Sequence, residues 1–184
     1  MAESRRLSRH LDVDDCVLAV IDTQDGFLRK LPDDVALDLV DRIRWLCRLA
    51  CWLRVPVVIT EEEPERNGGT ASPITTALAG RVVKHTKPVF DLSACPAILE
   101  DVTRHGRGTV VLCRLETDVC VAQSALGLLD LGKRVVVGMK DLGYEWLRTV
   151  ERAIDFGVET GQDARRVSGS SRLRCLLIAG PCSP

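Results

Sequence analysis

Several things are scarce in this chain of 184 residues. It has only three His and one Tyr, and its 25 basic side chains almost cancel its 26 acidic ones. Nothing in that balance suggests a nucleic-acid surface. The arginines between Arg42 and Arg54 read instead as the solvated side of a helix. Long apolar runs are also missing, since none reaches the roughly 18 residues that a membrane helix needs. Met1 to His10 is charged and leads into no apolar leader core, so the expectation is a soluble cytoplasmic protein. Cysteine is not scarce, with eight in the chain. Disulfide frameworks belong to small secreted chains, however, and these cysteines sit inside apolar strand and helix patterns, so reduced thiols are expected. Cys47 and Cys51 stand one helical turn apart, but no His or second Cys pair lies near them in sequence, and no metal or cofactor is expected.

The most informative stretch is Thr109 to Gly132. Val110-Val111-Leu112-Cys113 is short, apolar and β-branched, which predicts a buried strand. Arg114, Glu116, Thr117 and Asp118 form a polar connection. The pattern then changes to helical spacing, with Val121, Ala125, Leu128 and Leu129 on one stripe and Gly132 as the stop. With Thr117 or Asp118 as N-cap, Cys120 falls in the first helical turn, where orphan N–H groups and the helix dipole favour a thiolate. Against this stands the plainer reading of Cys120 as one more buried core cysteine.

Two other strands carry chemistry to the same place. Cys16 to Asp22 is apolar on both faces, as in a strand covered on each side, and it ends on a carboxylate. Arg81-Val82-Val83-Lys84 reads as a strand ending on an amine. A helix from Asp33, its natural cap, to about Leu53, a strand Val55 to Thr60, a charged loop Glu61 to Thr70, a short helix near Ser72 to Ala79, a helix over Ser93 to Arg104 and a strand Lys133 to Gly138 complete the alternation. Strands and helices alternating with short links imply an α/β fold, three-layer α/β/α with a central, mostly parallel sheet. In such a sheet the C-terminal strand ends share one edge, where ligands bind. Asp22, Lys84 and Cys120 are therefore expected to meet.

These residues carry a resemblance. Ile21-Asp22-Thr23-Gln24-Asp25-Gly26-Phe27 resembles the Asp-x-Gln-x-x-Phe opening of the isochorismatase-like cysteine hydrolases, which include nicotinamidases, N-carbamoylsarcosine amidohydrolases and isochorismatases. Lys84, with Phe90 six residues on, looks like that family's lysine block; the spacing to Phe90 favours Lys84 over the competing Lys87. Leu115 to Val121 looks like its nucleophile segment. The similarity runs from about residue 16 to about residue 141.

The resemblance implies a cysteine hydrolase acting on a small amide or a related C–N or C–O bond. Cys120 would attack, Asp22 would take the thiol proton and pass it to the leaving group, and Lys84 would keep Asp22 ionised. Glu116 and Thr117, with Phe27, would meet the substrate or its oxyanion. It also implies a homo-oligomer. Arg114 and Asp118 depart from the family pattern, with Gly and His common at those places. The alternative function is an inactive member serving as an interaction or oligomerisation module. Residues 1–159 are expected to form the hydrolase domain. Residues 160–184 read as an atypical C-terminal tail, after a helix over Tyr144 to Ile154, with a possible added edge strand over Arg172 to Ala179.

Overall fold

Among the described residues five strands make one parallel sheet, and the burial of the first explains why. β1 (Cys16–Ile21) is buried at every residue. A strand with the apolar sequence CVLAVI can satisfy both faces only in the middle of a covered sheet. β2 (Val57–Glu62) and β4 (Thr109–Cys113) flank it, β3 (Lys84–Lys87) lies outside β2, and β5 (Arg134–Val137) lies outside β4. The order is β3-β2-β1-β4-β5, with every pairing parallel. The structure is a computed structural model and describes residues 11–79, 82–113 and 120–137.

The helices are α1 (Asp25–Leu28), α2 (Asp33–Leu53), α3 (Pro64–Asn67), α4 (Ser72–Ala77), α5 (Pro96–Thr103) and α6 (Ala122–Asp130). Alternation along each strand splits the core in two. Val17, Ala19 and Ile21 of β1 and Val110 and Leu112 of β4 pack under Ile98 and Val102 of α5 and Leu128 of α6. Leu18 and Val20 of β1 and Ile59 of β2 face Val40, Ile43, Cys47 and Ala50 of α2 and Ile74 of α4 on the opposite side. The result is the expected three-layer α/β/α arrangement, and residues 14–139 form one compact unit. The chain winds from β1 outward through β2 and β3, then crosses back to β4 and continues outward to β5. Such a reversal opens a crevice at the C-terminal ends of β1 and β4, where ligands bind in open α/β sheets.

Local departures from the sequence expectations have simple causes. Asp33 opens the first turn of α2, and Pro32 takes the cap position with no side-chain hydrogen bond; its fixed φ suits a helix entrance. β2 starts two residues later than expected, at Val57, because Pro56 cannot donate to the ladder, and it runs on through Glu61 and Glu62. The strand expected at Arg81 to Lys84 is instead Lys84–Lys87. Among the described residues no helix is long and apolar enough to cross a membrane. The expectations for residues 114–119 and for everything from residue 138 onward, the C-terminal tail included, lie outside the described residues.

Candidate active site

Asp22 follows the last residue of β1 with φ of 46°. This left-handed region is strained for most side chains, though Asp tolerates it better than others, and strain of this kind collects at functional sites. The turn is held by neighbours on β2. The Asp22 amide donates to the Thr60 carbonyl at 3.0 Å, and the Thr60 hydroxyl donates to Asp22 Oδ1 at 2.7 Å. Asp22 Oδ2 lies 2.7 Å from Lys87 Nζ, with both side chains fully buried. Lys87 Nζ also donates to the Val89 carbonyl at 3.0 Å. A fully buried lysine is expected only where its charge is matched, and here the carboxylate matches it.

The lysine that meets Asp22 is therefore Lys87, and the expectation for Lys84 is corrected. Lys84 pairs in register with Ile59, whereas Lys87 pairs with Glu62 at the last rung of β2. Three residues at about 3.3 Å each put Lys84 roughly 10 Å back along the strand from the C-terminal end where Lys87 stands. Its ammonium instead lies 3.0 Å from Glu61 Oε1, with 45% of the side chain exposed. The apolar pair Val82-Val83 imitates a strand in the sequence, while the actual strand, Lys-His-Thr-Lys, is polar because it lies at the sheet edge. A usable signal was present: Pro88 follows Lys87 and cannot continue the ladder, which marks Lys87 as the strand end.

Cys120 reaches the same place from the other side of β1. Cys120 and Val121 lie in a wide, π-type helical turn leading directly into α6, a geometry frequent at functional sites. Cys120 is 1% exposed and packs with the core under α6. It is not sealed in hydrocarbon, because its thiol donates to Glu62 Oε2 at 3.4 Å. One ligand atom each from Asp22, Glu62 and Cys120 lie within 4.8 Å of one another. Glu62 Oε2 is also 3.7 Å from Lys87 Nζ. The structure thus brings Asp22, Cys120 and a lysine together as the sequence implied, but with a second carboxylate among them.

Glu62 was hidden in the sequence inside a run of three glutamates that reads as a charged loop. Its backbone is clamped on both sides. The Glu62 amide donates to Gln24 Oε1 at 2.7 Å, and its carbonyl accepts from Gln24 Nε2 at 3.1 Å and from Asn67 Nδ2 at 2.8 Å. Gln24 is fully buried and also donates to the Gly68 carbonyl at 2.6 Å. The Gln of the Asp-x-Gln motif therefore holds the end of β2 and the loop beyond it. Glu61, on the opposite side of the strand, accepts from the Thr70 amide and hydroxyl, both at 2.8 Å.

Phe27 is 8% exposed on α1, with the Lys30 ammonium 4.9 Å from its ring centre. Glu116 and Thr117 lie outside the described residues. A thiol and two carboxylates are a donor set that zinc accepts, but the Lys87 ammonium already sits within reach of both carboxylates. Two other buried cysteines make poor nucleophiles. Burial pushes the Cys113 thiol up to about 12, and burial, with the Cys113 and Cys51 sulfurs adding, raises Cys47 as well.

Curated relatives share sequence with this chain. The secreted isochorismatase effector Isc1 of Phytophthora sojae is 35% identical over 131 residues, covering 66% of this chain and 58% of that protein. Isochorismatase domain-containing protein 2 of Bos taurus is 31% identical over 122 residues, covering 66% and 56%. The chain thus spans less than two thirds of the length of these relatives. Among solved structures, YcaC from Pseudomonas aeruginosa with hexane-2,5-diol and covalent acrylamide superposes with a TM-score of 0.64 at 21% identity, covering 71% of this chain and 65% of that one. The MAR1 ribonuclease from Caenorhabditis elegans gives 0.62 at 27% identity, covering 69% and 64%. The Escherichia coli YcaC gene product, described as an octameric hydrolase of unknown specificity, gives 0.61 at 22% identity, covering 70% and 63%. The isochorismatase domain model matches residues 16–140, more than half of the chain. This chain belongs to the isochorismatase domain family.

Proposed function

We propose that the protein is a cysteine hydrolase of small amides or related C–N or C–O bonds, with Cys120 as nucleophile, Asp22 as base and Lys87 as the cation that keeps Asp22 ionised. The observation that carries this reading is the 2.7 Å Asp22–Lys87 pair, fully buried and sharing one cluster with the Cys120 thiol. A buried carboxylate, ammonium and thiol gathered at a crevice from three chain segments serve acid–base and nucleophilic chemistry, whereas a purely structural core has no need of them. The thiolate adds to the carbonyl carbon, the protonated carboxylate returns its proton to the leaving group, and water then hydrolyses the thioester. Backbone N–H groups at the start of the α6 helical segment, with Glu116 and Thr117, would hold the oxyanion, and Phe27 would border the substrate.

The same reading takes the working protein as a homo-oligomer in the cytoplasm. An octameric hydrolase with this fold supports the first point, and the name of the secreted Phytophthora relative supplies the alternative to the second. The rival function is an inactive interaction or oligomerisation module. Iodoacetamide at neutral pH separates the two, and the covalent acrylamide in the Pseudomonas YcaC structure makes small amide electrophiles suitable probes. The hydrolase should be labelled at Cys120 faster than at the exposed Cys51, with the adduct located by mass spectrometry. Labelling of Cys120 no faster than of Cys51 would establish the module.

A further inference from the structure

Among the described residues of the site cluster, one keeps a face open to solvent. Asp22 and Lys87 are fully buried and Cys120 is 1% exposed, whereas the Glu62 side chain is 19% exposed. Glu62 Oε2 stands 3.4 Å from the Cys120 sulfur, so a molecule that brings a carbon within bonding reach of that sulfur passes against this carboxylate. The contacts with the thiol and with Lys87 Nζ both fall on Oε2. Among the described residues nothing donates to Oε1. An ionised carboxylate only accepts, so Oε1 offers its lone pairs to a donor from outside. Glu62 is also held in place, its amide and carbonyl bonded to Gln24 and its carbonyl to Asn67.

The cation beside it does not cancel its charge. Lys87 Nζ lies 3.7 Å from Glu62 but 2.7 Å from Asp22, so one ammonium stands between two carboxylates and the nearer holds it. The neighbouring glutamates of the same run are matched elsewhere, Glu61 by Lys84 at 3.0 Å and Glu63 by Arg66 at 2.9 Å. The described part of the site thus carries an excess negative charge at its solvent-facing member.

We propose that Glu62 selects the substrate: it admits small amides that present a cationic or N–H-rich group beside the scissile carbonyl and turns away those that carry a carboxylate there. This inference rests on the cysteine-hydrolase reading and adds the class of substrate to it; Cys120, Asp22 and Lys87 keep the roles given above. An ammonium, amidinium or guanidinium group would donate to Oε1 in a charge-assisted hydrogen bond. A substrate carboxylate would meet a like charge at close range, where a partly buried site screens less than water does.

Chloroacetate, chloroacetamide and 2-chloroacetamidine share one shape and one leaving group and differ in charge: negative, none and positive. Each alkylates a thiolate, so the reactivity of the sulfur itself cancels in the ratio of two probes. With the full chain at neutral pH, adducts are located by mass spectrometry at Cys120 and at the exposed Cys51, which serves as reference. Relative to Cys51, wild-type Cys120 should prefer the amidine to the amide and the amide to the acetate. Glu62→Gln should lower the chloroacetamidine-to-chloroacetate ratio at Cys120 at least about fivefold, the factor that one charge about 4 Å away produces even at the dielectric of water. The ratio at Cys51 should not change. Glu62→Asp, which keeps the charge, should keep the wild-type order of the probes. An unchanged ratio at Cys120 in Glu62→Gln would overturn the inference and leave the hydrolase reading in place. Wild-type Cys120 that reacts with chloroacetamide no faster than Cys51 would overturn the hydrolase reading, and the inference with it.

Discussion

Lys87 and Asp22 hold each other with both side chains fully buried, and replacing either removes the opposite charge 2.7 Å from the other. Breaking a buried pair strands a charge and costs about 3–5 kcal/mol. Lys87→Met should therefore lower the unfolding free energy by about that amount in a urea titration, whereas Lys84→Met, at a half-exposed site, should cost less than about 1 kcal/mol. Equal losses would contradict the assignment of Lys87. Glu61 supplies a pH-dependent contribution. Burial by itself raises its pKa, but hydrogen bonds from the Thr70 amide and hydroxyl, with the hydrogen bond and charge of Lys84, outweigh burial and hold it below the ordinary value of a glutamate. A carboxyl lowered on folding stabilises the protein above its unfolded value, about 4.3. That stabilisation is lost as pH falls through the lower folded value. Thermal unfolding of Glu61→Gln should show lower stability at pH 7 and a shallower decline below about pH 4 than the wild type. Parallel curves for the two proteins would remove Glu61 from the acid response.

At the scale of elements, the site depends on how the end of β2 is anchored to the loop that follows it. Gly26 shows why. A Cβ there would lie 2.6 Å from the Asn67 carbonyl oxygen and 2.9 Å from the Asn67 Cα. Both contacts are with backbone, which cannot swing aside as a side-chain tip can. Asn67 in turn donates to the Glu62 carbonyl. Gly26→Ala should thus destabilise the protein by about 1–3 kcal/mol and also slow iodoacetamide labelling at Cys120, a coupling that calorimetry and mass spectrometry can measure together. How far each element was legible follows from its surroundings. β1 and β4 were read almost to the residue, since strands covered on both faces must be apolar throughout. α2 was legible from its 3.6-residue stripe. β3 was misplaced because it is a short edge strand whose identity comes from pairing with β2 and not from its own composition. The same blindness hid Glu62, whose side chain turns toward the site only because β2 extends two residues past its expected end at Thr60.

For the molecule as a whole, the sheet order β3-β2-β1-β4-β5 is the feature that turns separate motifs into a site. It sets β1 at the centre, with Lys87 and Glu62 arriving from one flank and Cys120 from the other. The alternating pattern made this architecture readable in advance, and the Asp22 and Cys120 segments pointed to the edge at which those two side chains meet. Which lysine reached that edge depended on register, a property of pairs of strands that no single segment contains. The core that holds the arrangement is tight around β4, where Leu112 is fully buried under the α5–α6 layer. Leu112→Ala should cost about 2–5 kcal/mol in a denaturant titration; a loss under about 1 kcal/mol would mean that this layer does not support the site. The most direct test of the central claim, a cysteine nucleophile served by the buried Asp22 carboxylate, is acylation by the activated ester p-nitrophenyl acetate. The expected result is a stoichiometric burst of p-nitrophenolate with the acetyl group located on Cys120, absent in Cys120→Ala and strongly reduced in Asp22→Asn. Release of p-nitrophenolate with no acyl group at residue 120, or an identical burst from Cys120→Ala, would contradict it.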